Sequence, residues 1–237
     1  MKVDVSKLLD VNMGYIVAYV ACYSLSVWQS TWTLVGNSQT TTVFEIKFGW
    51  SEDETILYNS IISSAGIIGL TIGSFLGGSL LGYGRRKALM IAQVIAIVGA
   101  LICMIGTMAT LSIGRLLVGV GAAICNICFG KSIGENMPEY ISERAAMMLN
   151  ASICVGFFFC FLMGEFLPDP EDIQANKDDE LWRVIYIMPA IIGLIVILLI
   201  LLVFRQEPIT YCIMNNLEEE GKIHMKRVYR KKDQSDG

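Results

Sequence analysis

Apolar residues do not alternate along this chain; they run in long blocks separated by short polar breaks. Blocks at about 13–36, 56–81, 88–110, 114–133, 147–166 and 184–204 approach or exceed the roughly 18 to 20 residues a helix needs to cross a hydrocarbon core of about 30 Å. The last of them, Val184 to Phe204, carries no charge. A bilayer core offers no partner to a backbone N–H or C=O, so each block predicts a helix. Blocks of this length exclude a barrel, whose strands are about ten alternating residues. The expectation is an all-α polytopic membrane protein with six transmembrane helices in one bundle, residues 1–204, followed by a basic segment, 205–237. An even number of crossings returns the chain to the side on which it began.

Charge orients the bundle. The N-terminal stub, the 82–87 loop, the 131–146 segment and the tail carry Lys2, Lys7, Arg85, Arg86, Lys87, Lys131, Arg144, Arg205, Lys222, Lys226, Arg227, Arg230, Lys231 and Lys232. The opposite side, with its adjacent helix ends, carries only Lys47, Arg115, Lys177 and Arg183. By the positive-inside rule both termini are expected in the cytoplasm. The other face is acidic, with Glu52, Asp53 and Glu54 in one loop and Asp169, Glu171, Asp172, Asp178, Asp179 and Glu180 in another. No basic region with a short apolar core and a small-residue cleavage site opens the chain, so the first span is expected to stay as a signal anchor. Composition adds weight to the lipid reading: 54% of residues are hydrophobic, 17% are charged and the mean hydropathy is +0.56.

Six of the seven cysteines, Cys22, Cys103, Cys125, Cys128, Cys154 and Cys160, fall inside apolar blocks, which speaks against a disulfide framework. Cys125 and Cys128 form a CxxC in mid-span, where packing is the reading rather than redox or zinc chemistry. No metal site or cofactor is expected. Gly130-Lys131-Ser132-Ile133-Gly134 matches a serine-nucleophile pattern, but that pattern needs a strand-to-helix turn and a nearby base. Here it ends a membrane helix, and the one histidine, His224, lies in the polar tail. An enzyme is therefore not expected.

Polar groups inside the spans are the candidate chemistry, because each costs free energy unless it meets a partner or a wet cavity. Cys22, Ser26, Gln29 and Thr33 follow helical spacing along one face of the first span, with Trp28 and Trp32 beside them. Gln29, Trp32, Asn126 and Asn150 are candidate cavity-lining residues; interhelical hydrogen bonding is the alternative for the amides, and interface anchoring for the tryptophans. Gly69, Gly73 and Gly77, and Gly130 with Gly134, form small-residue ridges suited to close helix packing. Arg115 stands near a helix start, where a long cationic side chain can snorkel. Arg85, Arg86, Glu135, Arg144 and Glu207 fall at helix ends on one side, placed for bidentate ion pairs in a latch.

The order of these residues resembles the sugar-porter branch of the major facilitator superfamily, specifically its N-terminal six-helix half. The resemblance runs from about residue 55 to 222. It takes in Gly73-Ser74, Gly84-Arg85-Arg86, a fourth-helix signature of Gly114, Arg115, Gly119, Gly121 and Pro138 around Glu135, then Arg144, Trp182-Arg183 with Pro189, and Glu207-Pro208. It implies that Arg85, Arg86, Glu135, Arg144 and Glu207 form a cytoplasmic charge network that stabilises an outward-facing state. It also implies alternating access to a small polar solute of the sugar class, with a second six-helix half or a membrane partner subunit completing the site, and no nucleic acid. The chain departs from the pattern at Ala151, where the family commonly places a glutamine after the asparagine, and at Gly130 and Ser132, where it commonly has proline and tyrosine. The alternative expectation is a non-transporting accessory membrane subunit derived from a transporter half.

Overall fold

The computed structural model describes residues 9–137, 139–169, 172–178 and 180–231. Pro138 of the expected fourth-helix signature, Lys2, Lys7 and Lys232 of the basic set, and Glu171 and Asp179 of the acidic set lie outside them. Six long helices follow in order: α1 (Met13–Phe48), α2 (Glu52–Leu80), α3 (Arg85–Cys103), α4 (Met108–Asn136), α5 (Glu139–Gly164) and α7 (Trp182–Leu202). The short α6 (Ile173–Asp178) precedes α7, and α8 (Ile209–Met214) and α9 (Glu218–Val228) follow it. Five of the long helices, α2, α3, α4, α5 and α7, are long and apolar enough to cross a membrane. The sixth, α1, is 36 residues long, about 54 Å, and buries Ser26, Gln29, Ser30, Thr31, Thr33, Asn37 and Thr40 in the bundle. The chain is an integral, multi-pass membrane protein.

Boundaries move where local caps outrank hydrophobic runs. The block expected at 88–110 is cut at Cys103, because Gly106 adopts φ +77° and Thr107 caps α4 reciprocally with Thr110. The expected 82–87 loop is instead a single 3-10 turn, Leu81–Tyr83, after which Arg85, Arg86 and Lys87 form the first turn of α3. Ser51 and Glu54 make a capping box that starts α2. The 131–146 segment is mostly helical, divided between the end of α4 and the start of α5.

At the centre stands α4, with α2 on one side and α3 on the other. A Cβ added at Gly69 would lie 2.1 Å from the Leu116 carbonyl oxygen, and one at Gly73 2.4 Å from that of Val120. On α4, Gly119 meets the Gly66 carbonyl in the same way, while Gly114 and Gly121 press on Gly99 and Ala92 of α3. Backbones this close gain dispersion contacts that branched side chains would prevent, which is how helices associate where lipid competes for apolar surface. The ridge expected at Gly130 and Gly134 does not pack so: a Cβ at Gly130 would meet nothing within 4 Å, and one at Gly134 would only touch Ser142 at 4.0 Å.

The two ends of the bundle differ. At one end, β1 (Leu9–Val11) pairs antiparallel with β2 (Tyr229–Lys231), so both terminal segments lie together with α8 and α9. At the other, Trp182 packs edge-on to Phe44 beneath a chain of charges in which Glu180 accepts from Lys47 at 2.9 Å and from Arg183 at 2.9 Å.

Candidate functional site

Three cations open α3, the wrong sign for a helix N-terminus, whose free N–H groups and dipole favour negative charge. Glu207, carried back from beyond α7, supplies it: its buried carboxylate accepts from the Arg86 backbone N–H at 3.0 Å. Gly84 lets it approach, for Gly84 adopts φ +124° and an added Cβ would lie 2.7 Å from Glu207 Oε1. The Arg85 guanidinium turns to α4, donating from Nη2 to Glu135 Oε1 at 2.6 Å and from Nη1 to the Leu81 carbonyl at 3.3 Å, while lying 4.8 Å over the Tyr211 ring. Both partners of this ion pair are nearly buried, so the bond is charge-assisted and poorly screened.

Neutral groups tie the same end. Asn136 donates to the Tyr19 hydroxyl at 2.7 Å and accepts from the Ile209 N–H at 3.0 Å, and Thr210 Oγ1 donates to the Glu135 carbonyl at 2.9 Å. The structure thus brings Arg85, Arg86, Glu135 and Glu207 into one knot joining α3, α4 and α8. Arg144 stands apart, exposed on α5 and without an ion pair among the described residues. Asn136 and Tyr211 escaped the sequence reading, since an amide and an aromatic at a helix end carry no pattern of their own.

A seam of polar groups crosses the interior. Gln29 Nε2 on α1 donates to Gln93 Oε1 on α3 at 2.6 Å and to the Pro189 carbonyl on α7 at 3.2 Å, and the Gln93 amide reaches the Cys125 thiol on α4 at 3.3 Å. Gln29 is wholly buried, so it bonds helices together and lines no open cavity. Gly193 makes room, since a Cβ there would sit 2.9 Å from Gln93 Oε1. Asn126, half-buried, accepts from Ser30 Oγ at 3.0 Å. Asn150 is exposed. Further along α1, Asn37 donates to Asn59 and to Ser63 Oγ at 2.9 Å and accepts from the Tyr186 hydroxyl at 3.1 Å. Gln93, Asn37 and Asn59 were not singled out from sequence; Gln93 and Asn59 offered only a lone amide in an apolar block, and Asn37 stands in the polar break just after the first block.

Arg115 does not snorkel. It is 4% exposed and lies within the bundle, donating from Nε to the Ile62 carbonyl at 3.2 Å and from Nη2 to the Thr33 carbonyl. A small void of about 20 Å³ beside it is lined by Trp32, Gly36, Tyr186 and Pro189. Trp32 is therefore an interior residue and not an interface anchor. Trp28 stacks on Phe159 at 5.2 Å and gives its indole N–H to Ser152 Oγ at 3.0 Å. It borders an open groove of about 400 Å³ between α1 and α5, walled mainly by Leu25, Met148, Ala151 and Val155. Cys125 and Cys128 are both buried free thiols, and no cluster of metal-ligating side chains occurs among the described residues.

A family model described as Sugar (and other) transporter matches residues 13–237. Hexose transporter 1 of Toxoplasma gondii is 26% identical over 203 residues, 78% of this chain and 35% of that protein. Plastidic glucose transporter 4 of Arabidopsis thaliana is 28% identical over 181 residues, 76% of this chain and 31% of that protein. Among solved structures, the proton:xylose symporter XylE bound to 6-bromo-6-deoxy-D-glucose superimposes with a TM-score of 0.77 at 19% identity, covering 91% of this chain and 50% of that one. At that identity the likeness establishes the fold. The chain spans about a third of the length of these curated relatives and half of that solved chain.

Proposed function

The chain belongs to the sugar transporter family, in the major facilitator superfamily, and from that premise we propose that it forms one six-helix half of a pathway for a small polar solute of the sugar class. The observation that carries this reading is the knot in which the Arg85–Glu135 pair and the Glu207 carboxylate join α3, α4 and α8. It acts as the closed cytoplasmic gate, with both termini in the cytoplasm, residues 1–204 as the bundle and 205–237 as the cytoplasmic segment. Arg144, on the same side, engages when the gate rearranges. Alternating access rocks two bundles about one site near the midplane. This chain supplies one; a second six-helix half or a membrane subunit supplies the other.

Movement down a gradient fits the interior best. Proton relays use intramembrane carboxylates. Among the described residues the carboxylates of the long helices lie near helix ends, and the buried cation Arg115 rests on two backbone carbonyls. The groove between α1 and α5 is the solute-facing surface on this half, with Trp28 and Ser152 as its polar edge; Asn126 and Asn150 are further candidates for solute contact.

A second reading, a non-transporting accessory subunit, draws on that same groove: Ala151 offers it no hydrogen bond, and the Trp28 indole N–H is already given to Ser152. Proteoliposome uptake of radiolabelled hexoses and pentoses separates the two. Saturable, gradient-dependent flux is expected only when a second bundle is present. Saturable flux from verified monomers refutes the half-site reading, and absence of flux and of sugar-induced thermal shift in every pairing selects the accessory one.

A further inference from the structure

Two arginines close the end of α7. Arg205 Nε donates to the Leu201 carbonyl at 2.9 Å, and Arg227, reaching from α9, donates from Nη1 to the Val203 carbonyl at 3.0 Å. Both acceptors belong to the last turn of α7, so both cations stand where the same span ends. Capping a helix C-terminus accounts for one N–H of each, and a guanidinium has five. Neither arginine is ion-paired among the described residues, and both are exposed. Near them, Glu207 is buried against α3, and Glu218 and Glu219 at the far end of α9 are engaged by Lys222.

What surrounds them is apolar and open. Leu201, Leu202 and Val203 are 44%, 66% and 44% exposed, and they end the most hydrophobic of the candidate spans. On α9, Gly221, His224 and Val228 face the protein, while Ile223 lies exposed one turn before Arg227 on the same face. The pattern is that of an interfacial helix, apolar and basic toward the headgroup layer. Two unneutralised cations placed where a span leaves the hydrocarbon fit a phosphate that carries acyl chains.

We infer that Arg205 and Arg227 bind the phosphate of an acidic phospholipid in the leaflet on the terminal side, its acyl chains lying along Leu201, Leu202 and Val203. Net negative headgroups are favoured over zwitterionic ones because a choline ammonium would face the same two cations. The site tethers α9, and with it the segment that carries Glu207, to the membrane surface.

The test uses the full chain in mild detergent, with native mass spectrometry and thermal melting, against phosphatidylserine, phosphatidylcholine and inorganic phosphate. Phosphatidylserine is expected to give more retained adducts than phosphatidylcholine and to raise the melting temperature. The Arg205→Gln/Arg227→Gln variant should lose about tenfold in phosphatidylserine retention, the effect of removing charge-assisted hydrogen bonds. Arg205→Gln alone, whose bond is to its own helix, should show most of that loss with α9 in place. Lys87→Gln/Lys131→Gln removes the same charge from the same end and should retain lipid as wild type does. Equal loss in the lysine variant, no loss in the arginine variants, or an equal melting shift from inorganic phosphate overturns the proposal.

Discussion

Acidification should release α9 from the bundle through His224. The imidazole is 1% exposed, with its ring edge-on to Tyr15 at 6.0 Å and to Tyr19 at 6.3 Å. Burial is the main force holding its pKa down, the Arg227 cation adds to it and the Glu207 backbone opposes it; the result is about 4 against an ordinary 6.5. The docked helix therefore carries a neutral ring, and the undocked helix takes up a proton as pH falls below 6.5. Docking loses nothing at pH 7, about 2 kcal/mol by pH 5 and about 3 kcal/mol below pH 4, at ~1.4 kcal/mol per unit. At pH 5 that multiplies the undocked population by roughly 30.

Cys212 reports the event. It is 1% exposed beneath α9, where a Cβ added at Gly221 would stand 3.2 Å from its Cβ, and burial raises its thiol pKa. A water-soluble aromatic disulfide that stays reactive in acid should label Cys212 about 30-fold faster at pH 5 than at pH 7.5, once divided by the profile of His224→Leu, which keeps the packing and removes the titration. Identical pH profiles for wild type and His224→Leu would refute the argument, because the opening would then owe nothing to this ring.

Three further outcomes follow from the packing. Gly69→Val forces side-chain carbon into the Leu116 carbonyl and should lower resistance to unfolding in a detergent titration by more than about 3 kcal/mol, whereas Gly78→Val, whose Cβ meets nothing within 4 Å, should change it little. Glu135→Gln leaves the Arg85 guanidinium without its anion and should cost about 1–3 kcal/mol, read as faster hydrogen exchange in α8; the Arg85→Gln/Glu135→Gln pair should cost less than the single charge removal. Gln29→Leu and Gln93→Leu each orphan a buried amide, about 1–3 kcal/mol apiece, and a double-mutant cycle should show the pair costing less than the sum. An additive cycle would mean that the two amides are satisfied independently.

Much of the charged knot was legible because its parts stand at helix ends, where charge interrupts an apolar run. Glu135 and Arg85 are visible in that way, and so is Glu207. Their pairing was not: Arg86 and Arg144 carry the same side chain at similar ends, yet Arg86 offers its backbone N–H to Glu207 and Arg144 stands exposed on α5. Arg115 misled for the same reason, since proximity to a helix start looks alike whether the side chain runs out to the interface or in toward the carbonyls of Thr33 and Ile62.

By itself the sequence determined that the chain lives in a bilayer, that it crosses as helices, and which residues interrupt lipid. These follow from transfer free energies that accumulate along a segment regardless of what the segment touches. Only the tertiary structure decided that Gly69 and Gly119 pack while Gly130 does not, that Gln29 meets Gln93, and that the cations opening α3 are answered by a carboxylate from beyond α7. A close approach or a hydrogen bond has a sharp dependence on distance. Whether one forms is settled by the rotation and depth of two helices at once, and no single run of residues contains both.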